Sequence, residues 1–550
     1  MTSSGPAVLR RSVGNTVSRL LSVPRHTSDF SVERGLRVPM RDGVDLIADH
    51  YVPHTPDPAG TLLVRGPYGR GWPFSMLFAV VYASRGYHVV VQSVRGTFGS
   101  GGEFTPMVHE KEDGADTAAW LRDQPWFTGG FATVGLSYLG FTQWALLTDP
   151  PPELQAAIIA VGPHDFRESS WGTGSFSLND FLGWSDMVAN QEDRGVAALV
   201  RQVRARRALK RATADLPLGA AGRRLLGTGA HWYESWLENA EDAAFWDGMR
   251  ATDALDRVEV PILLFGGWQD LFLEQTLAQY GHLRDRGVPA AVTVGAWTHT
   301  QLMTKGAVTV VRESLDWLNA HLAGGQGLDR APVRIEINND GWYDLADWPP
   351  RMPEQQWFLH ATGQLTGVAP DPTAPPSTFI FDPDDPTPTV GGRLLSPQGG
   401  YRDDSSLADR DDVLTFTGAP LGADLYVVGT PVVELAHTCD NPHRDVFVRI
   451  SEVDRKGRSR NVSDGFRRLT GPDGIVRLEL DAVAHRFRAG SRLRLLIAGG
   501  SHPRFARNLG TDEPMISGRR TVPATHTVHH GVGGVSRLVL PAGAQPPSAD

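Results

Sequence analysis

Short apolar runs alternate with amphipathic segments through the first half of the chain. The segments Met76–Arg85, Asp113–Gln124 and Phe141–Thr148 have the periodicity of helices. Strands that alternate with helices in this way indicate a parallel sheet with helices on both faces, which is a doubly wound α/β architecture. The apolar runs that predict its buried strands are Thr61–Val64, Tyr87–Val91, Phe131–Val134, Leu154–Val161, Val260–Gly266 and Ala290–Gly295. A hairpin over Leu36–Val52, with an Asp-Gly turn, precedes them.

Residues 165–250 interrupt this alternation. The patterns of Val196–Arg211 and Arg223–Asn239 predict helices without strands between them. An insertion here would cover the carboxyl edge of the sheet, where ligands bind in such folds. We therefore expect a helical cap, with a packing subdomain that does not contact substrate as the alternative. The segment contains five tryptophans, Trp171, Trp184, Trp232, Trp236 and Trp246.

Beyond residue 330 the chain changes to short runs of β-forming residues separated by turns rich in Pro, Gly and Asp. Many short strands without long helices predict a β-sandwich or jelly roll. The predicted organisation is an N-terminal arm (1–30), an α/β domain in two parts (31–164 and 251–328) that holds the cap (165–250), a jelly roll (329–542) and a tail (543–550).

Composition narrows the class of protein. A chain of 550 residues is too long for one core, so two or three domains are expected. Its formal charge of −9 argues against a nucleic-acid binder, which is normally basic. The histidines are scattered without metal-ligand spacing, so we expect no metal and no cofactor. The single cysteine, Cys439, excludes an intrachain disulfide.

The N-terminal segment contains arginines but no apolar run of the length of a signal or membrane-spanning segment. We therefore expect a cytoplasmic protein. An amphipathic surface helix over Val8–Leu21 is one alternative for the arm.

Ser137 is the first candidate for chemistry. It stands in a Gly-x-Ser turn between the strand Phe131–Val134 and the helix Phe141–Thr148. Such a turn is typical of a nucleophile elbow, which exposes the hydroxyl above the sheet and places a helix N-terminus beneath a developing oxyanion. The second small residue comes one position late, at Gly140, so a glycine-bounded turn with an incidental serine is the alternative.

Two further residues follow later strands in the order that a Ser-Asp-His triad requires. Asp270 ends the loop after Val260–Phe265, and His299 ends the loop after Ala291–Gly295. His299 would take the proton of Ser137, and Asp270 would fix the imidazole tautomer and stabilise its charged form. Competing residues, which precede the acid or lie on helices or before a strand, are His164, His282, His321, Asp253 and Asp256.

An oxyanion hole needs two donors. The backbone N–H of Tyr138, directly after the serine, is one candidate. The segment after the first buried strand lacks a run of glycines, so the Tyr68 hydroxyl is the candidate for the second donor. A packing role for Tyr68 is equally compatible with the residues alone.

Taken together, the motifs resemble the CocE/NonD family, the cocaine-esterase and X-Pro dipeptidyl-peptidase (S15) group of serine hydrolases. The motifs that carry the resemblance are Arg65-Gly66-Pro67-Tyr68, Val94-Arg95-Gly96, Gln124-Pro125-Trp126, Gly135-Leu136-Ser137-Tyr138-Leu139-Gly140, Gly266-Gly267-Trp268-Gln269-Asp270 and Gly295-Ala296-Trp297-Thr298-His299. The resemblance implies an α/β-hydrolase domain, a helical cap and a jelly roll. It also implies Ser137, Asp270 and His299 as the triad, with Tyr68 and Tyr138 at the oxyanion hole.

The chain departs from the family at Ser93, where relatives often carry Asp, and at Gly101, where they often carry Glu. The cap, which selects the substrate, matches only loosely. The expected substrate is a small-molecule ester, an amide or a short peptide, and a homodimer is allowed. The residues we expect to line the pocket are Trp171, Phe176, Trp268 and Trp297.

Two alternatives stay open. An Xaa-Pro dipeptidyl aminopeptidase, or an α-amino-acid ester hydrolase or acylase, would hold a substrate ammonium with carboxylates, for which Asp180, Asp186 and Glu274 are candidates against a role as surface acids. The second alternative is a protein without catalysis, whose jelly roll binds carbohydrate.

Overall fold

The computed structural model describes residues 24–193, 195–325, 328–470 and 472–548. The arm helix considered for Val8–Leu21 lies outside these ranges. The helices are α1 (Val81–Ala83, continuing a π-helix over Met76–Val80), α2 (Glu110–Arg122), α3 (Tyr138–Leu147), α4 (Phe166–Trp171), α5 (Leu178–Ala189), α6 (Gly195–Ala214), α7 (Leu218–Leu226), α8 (Trp232–Glu238), α9 (Ala243–Trp246), α10 (Asp253–Arg257), α11 (Leu273–Asp285) and α12 (Ala307–His321). Short 3₁₀ turns cover Asp247–Met249, Gln301–Met303 and Ser405–Leu407. Within the described ranges, none of the helices combines the length and the apolar character needed to cross a membrane.

A large sheet forms the centre of the first domain. Its strands are β1 (Phe30–Pro39), β2 (Asp45–Pro53), β3 (Gly60–Gly66), β4 (Tyr87–Ser93), β5 (Phe131–Leu136), β6 (Leu154–Ala160), β7 (Ile262–Gln269), β8 (Ala290–Thr298), β9 (Val333–Glu336) and β10 (Trp342–Leu345). They lie in the order β1-β2-β4-β3-β5-β6-β7-β8-β9-β10. The pairs from β4 to β9 are parallel, and the pairs at the two edges are antiparallel.

Both faces of this sheet are covered. Along β3, Leu63 joins the core formed with α3 and α11, whereas Leu62 joins the core on the opposite face with α1 and α12. A strand buried on both faces needs apolar side chains at successive positions, and this is why the central strands are continuous apolar runs. The doubly wound α/β fold is confirmed.

The large sheet extends further along the chain than predicted. β9 pairs in parallel with β8, and β10 pairs with β9, so the sheet continues to Leu345, past the expected boundary at residue 328. The alternating pattern of these short strands resembles that of the following domain. A strand's own sequence does not identify its partner, so the pairing of β9 with β8 could not be predicted from the sequence.

The segment 165–250 contains α4 to α9, and its base is closed by an ion pair in which Arg250 Nε lies 2.9 Å from Asp165 Oδ2. Aromatic side chains, including Phe166, Phe181 and Trp236, pack together in its interior. The prediction of a single helix over Arg223–Asn239 is wrong, because two helices, α7 and α8, cover this segment and a turn separates them.

The C-terminal domain is a β-sandwich, as expected. One sheet contains β11 (Glu354–Leu359), β12 (Leu365–Thr366), β13 (Ser377–Phe381), β15 (Leu425–Gly429), β16 (Val432–Cys439), β19 (Gly474–Glu479), β20 (Val483–Phe487), β22 (Ala524–Val528) and β23 (Arg537–Gly543). The other contains β14 (Val413–Thr417), β17 (Arg444–Val453), β18 (Ser459–Leu469) and β21 (Arg492–Ala498). Aliphatic side chains from both sheets form one core between them.

Candidate active site

Ser137 lies at the turn between β5 and α3 with φ 58° and ψ −123°. A residue with a side chain rarely adopts a positive φ, and such strain is typical of a nucleophile elbow. The turn is fixed from both sides. The N–H of Ser137 donates to the Ala160 carbonyl at 2.9 Å, and its carbonyl accepts from Phe141 at 3.1 Å.

The late glycine of the elbow has a steric cause. A Cβ atom on Gly140 would lie 2.6 Å from the Cα of Gly162, in the loop after β6. A Cβ on Gly135 would lie 2.5 Å from the Cβ of Leu139. Both positions therefore require glycine, since the first turn of α3 packs directly against its own strand and against the loop after the neighbouring strand.

His299 and Asp270 meet at the carboxyl ends of β8 and β7. The Nδ1 atom of His299 lies 2.6 Å from Oδ1 of Asp270, and both side chains are almost completely buried. The other carboxylate oxygen accepts from the backbone N–H of Phe272 at 2.8 Å. Since an ionised Asp270 can only accept, Nδ1 carries the proton in this bond, and Nε2 can accept one from a hydroxyl.

The Tyr68 hydroxyl lies beside the serine. It is hydrogen-bonded to Ser137, and it accepts from the indole Nε1 of Trp184 in the cap at 3.0 Å. Burial raises the pKa of Tyr68 to about 12, against the smaller opposing effects of these two bonds. The phenol therefore keeps its proton at neutral pH. Its ring stacks on that of Phe74, with 5.2 Å between the ring centroids.

Tyr138 is the first residue of α3, and hydrogen bonds at its hydroxyl fix its side chain. Its hydroxyl donates to Oε1 of Glu110 at 2.7 Å and accepts from the N–H of Met107 at 2.8 Å. Glu110 is itself buried and pairs with Arg65 at 3.2 Å. These bonds hold the first residue of α3, and with it the backbone N–H beside the serine, in one position.

The competing histidines have other partners. His164 Nδ1 lies 3.1 Å from Nε2 of Gln279, and burial lowers the pKa of His164 to about 4. His282 pairs at the surface with Asp256, 2.8 Å away. His321 packs on the Trp317 ring, with centroids 4.4 Å apart. Asp253, the remaining competing acid, pairs with Arg257 at 3.7 Å on the exposed side of α10.

The four aromatic residues expected in the pocket have the contacts of packing residues. Trp171 and Phe176 pack on each other inside the cap, 5.3 Å between centroids. The indole N–H of Trp268 donates to the Glu336 carbonyl at 2.7 Å, and Trp297 packs on Trp342. A long apolar run does not distinguish a pocket wall from a core, and the pocket proposed below is built from other side chains.

Residues that sequence reasoning missed surround the triad candidates. Phe272 lies edge-on to His299 at 5.5 Å, and Phe74 and Trp184 contact Tyr68. Phe272 could have been found from the sequence, because it stands two residues after Asp270. Nothing in the local sequence links Trp184 to Tyr68.

The three carboxylates considered for ammonium binding differ in their surroundings. Asp180 is fully buried near His299, and its Oδ1 accepts from Leu395 N at 3.0 Å and from Asn179 Nδ2 at 3.1 Å. Burial raises the pKa of Asp180 to about 6. Asp186 accepts from the Asn190 side chain at 3.1 Å.

The third carboxylate, Glu274, accepts from the N–H of Ala482 at 2.9 Å and lies 3.7 Å from Arg393. Of the three, Asp180 is the carboxylate whose pKa is influenced electrostatically by a triad candidate, His299. Within the described residues, no group of three or more His, Cys, Asp or Glu side chains could hold a metal ion.

Comparisons with known proteins give matches along most of the chain. The family model described as X-Pro dipeptidyl-peptidase (S15 family) matches residues 42–301. The model described as the X-Pro dipeptidyl-peptidase C-terminal non-catalytic domain matches residues 327–539. A cocaine esterase from Rhodococcus sp. (strain MB1 Bresler) is 27% identical, over 93% of this chain and 99% of its own.

Solved structures show the same fold. An aminopeptidase from the marine sediment archaeon Thaumarchaeota archaeon superimposes with a TM-score of 0.80 at 21% identity, covering 94% of this chain and 97% of its own. An α-amino acid ester hydrolase superimposes with a TM-score of 0.79 at 21% identity, covering 95% and 98%. At these identities the likeness is one of fold, from the hydrolase domain through the jelly roll.

Proposed function

Because the chain belongs to the S15 family of serine hydrolases, the group that includes the CocE/NonD hydrolases, we propose that it cleaves a carboxylic ester, or an amide, through an acyl-enzyme on Ser137. The observation that carries the proposal is the buried bond between His299 and Asp270, at the sheet edge that also holds the strained turn of Ser137. Family membership sets aside the alternative of a carbohydrate-binding protein without catalysis.

In this mechanism the Ser137 hydroxyl attacks the carbonyl carbon while Nε2 of His299 takes its proton. Asp270 accepts the hydrogen bond from Nδ1–H of His299 and stabilises the imidazolium. His299 then gives its proton to the leaving group, and the ester bond to that group breaks. Water, activated by the same imidazole, releases the acid and restores the Ser137 hydroxyl.

Charge develops on the carbonyl oxygen in the tetrahedral intermediate. We assign its two donors to the backbone N–H of Tyr138 and the hydroxyl of Tyr68. The bond from the Trp184 indole supports this role, because a hydroxyl that already accepts one hydrogen bond has its own proton free to donate. The raised pKa of Tyr68 supports it too, since only the protonated phenol is a donor.

The surroundings favour an apolar acyl group over one with a free amine. Phe74, Phe272 and Trp184 supply aromatic rings around Tyr68 and His299. A substrate ammonium would need an ionised carboxylate. Asp180 already accepts hydrogen bonds from the backbone N–H of Leu395 and the side chain of Asn179, and Glu274 accepts from the N–H of Ala482 and lies 3.7 Å from Arg393.

A second candidate function is the cleavage of Xaa-Pro dipeptides or of amino-acid esters. The observation that favours it is the position of Asp180, a buried acid close enough to His299 to interact electrostatically with it. A substrate ammonium beside Asp180 would favour its ionised form and lower the pKa of its carboxyl.

Turnover of p-nitrophenyl butyrate and of an Xaa-Pro p-nitroanilide, with Ser137→Ala as control, separates the two candidates. Ester turnover that disappears in the variant, with little anilide turnover, would support the esterase. Dominant anilide turnover would transfer the assignment to an Xaa-Pro peptidase and to Asp180. The cytoplasmic location and the homodimer stay predictions from the sequence.

A further inference from the structure

A polar cavity of about 800 Å³ lies where the end of the jelly roll meets the β9–β10 edge of the large sheet. Turns from different parts of the chain converge on it. One wall is the β17–β18 hairpin, and another is the turn between β20 and β21. The remaining walls are Asn338 and Asn339, between β9 and β10, and the loop at residues 401–403. Its volume is that of an ordinary small-molecule site.

Cationic side chains outnumber anionic ones around this cavity by six to three, although the whole chain carries a net charge of −9. The β17–β18 hairpin contributes four of the cations, three of them in its turn. Clustered like charges repel, and a cleft of one sign concentrates ions of the other. The cations are Arg402, Arg455, Lys456, Arg458, Arg460 and Arg488, and the anions are Asp403, Glu452 and Asp454.

The three acids already have partners. Asp454 forms an ion pair with Arg458 at 2.8 Å, and Glu452 bonds His485 at 3.0 Å. One Asp403 oxygen accepts from the backbone N–H of Ser405 at 3.0 Å. These bonds leave the acids poorly placed to neutralise the rest of the rim.

Lys456, Arg460 and Arg488 make no ion pair among the residues that the structure describes. The guanidinium of Arg460 instead lies over the Tyr401 ring, 5.4 Å from its centroid. The ring orients this cation and leaves its N–H groups for a ligand. His485 also lines the cavity, and its ring centroid lies 6.5 Å from that of Tyr401.

We propose that this cavity binds a small polyanion that carries two or more carboxylate or phosphate groups. Unpaired arginines bind either group through parallel N–H···O bonds. Two anionic groups on one molecule would bridge Lys456 and Arg460, on the β17–β18 hairpin, to Arg488 on the turn between β20 and β21. The site is formed by residues outside the triad, so this inference does not depend on the proposed ester cleavage.

Calorimetric titration of the full-length protein at low salt with pyrophosphate, and separately with citrate, tests the site. We expect saturable one-to-one binding of at least one of the two, weakened as salt rises. Binding of pyrophosphate alone identifies a phosphate-bearing ligand, and binding of citrate alone identifies a polycarboxylate. No saturable binding of either anion at millimolar concentration would overturn the proposal.

Variants locate the binding. The double variant R460Q/R488Q should weaken the affinity by about tenfold or more, since each removed cation takes charge-assisted bonds with it. Arg351→Gln, at an exposed position outside the cavity, removes a charge elsewhere and should leave the affinity unchanged. An equal loss of affinity in R460Q/R488Q and in Arg351→Gln would overturn the proposal. The melting temperature of each variant is measured first, so that only folded proteins are compared. If the double variant does not fold, Arg488→Gln alone takes its place.

Discussion

The indole Nε1 of Trp184, in the cap, donates a hydrogen bond of 3.0 Å to the hydroxyl of Tyr68, in the hydrolase domain. The same hydroxyl is bonded to Ser137. The cap therefore does more than cover the sheet, because it supplies the bond that orients a proposed oxyanion donor. If Tyr68 is an oxyanion donor as proposed, the activity depends on two aromatic residues that lie far apart in the sequence.

Tyr68→Phe should lower kcat by about 10²-fold or more, because it removes one oxyanion-hole donor. Stability should change little, since the ring and its stacking on Phe74 are kept. Steady-state ester hydrolysis and thermal melting measure the two effects. Tyr280→Phe, which removes a hydroxyl bonded to Asp347 elsewhere, is the matched control and should keep full activity. Wild-type kcat in Tyr68→Phe would remove Tyr68 from the proposed hole.

Trp184→Phe tests the cap's contribution. It deletes the indole N–H while keeping an aromatic ring against Tyr138, which lies 6.1 Å away between centroids. We expect a smaller loss of kcat than in Tyr68→Phe, about tenfold, since a misoriented donor is weaker but present. The losses should not add in the double variant, because both act through one hydroxyl. Additive losses would mean that Trp184 acts independently of Tyr68.

The order of the candidate triad along the chain could be predicted because it depends on local patterns. Ser137, Asp270 and His299 each follow an apolar run, and the carboxyl ends of parallel strands meet at one edge of a sheet. The bond between Trp184 and Tyr68 could not be predicted in this way. It depends on how a helix of the cap packs on another domain, and the pattern of apolar residues in either segment does not reveal this contact.

The contacts of the predicted pocket tryptophans could not be predicted from their positions. Trp268 and Trp297 lie at the carboxyl ends of β7 and β8, where the Trp268 indole donates to the carbonyl of Glu336 in β9 and Trp297 packs on Trp342 of β10. The continuation of the sheet through β9 also escaped prediction, because pairing is a property of two segments. The sequence predicts strands better than it predicts which strands pair.

The elbow's packing gives a stability prediction. Gly140→Ala places a Cβ against the backbone of Gly162 and should destabilise the fold by about 1–3 kcal/mol or more, as overpacking does. Gly281→Ala, in α11, meets no atom closer than 4.0 Å and should instead stabilise by about 0.5–1 kcal/mol. Urea unfolding of both variants measures the difference. Equal effects of the two alanines would contradict the close approach.

Asp180 gives a prediction for pH. Its carboxyl has a pKa near 6 in the folded protein, above the usual 3.8, so the folded state binds the proton more tightly than the unfolded state. The cost of the buried charge is absent below about pH 3.8, grows as pH rises and is complete above about pH 6. Asp180→Asn should therefore stabilise the protein by about 2–3 kcal/mol more at pH 8 than at pH 4.

Unfolding of this variant by urea at the two pH values measures the effect. Asp123→Asn, at an exposed position, is the control and should show little pH dependence. A stability gain that is the same at both pH values would show that Asp180 is ionised throughout this range.

The central claim is that Ser137 is the nucleophile. Mass-spectrometric mapping of the protein after reaction with a fluorophosphonate tests it most directly. We predict a single adduct on Ser137, loss of p-nitrophenyl butyrate turnover in proportion to labelling, and neither labelling nor turnover in Ser137→Ala. An adduct on another residue, or an unlabelled Ser137→Ala protein that still hydrolyses the ester at the wild-type rate, would contradict the account.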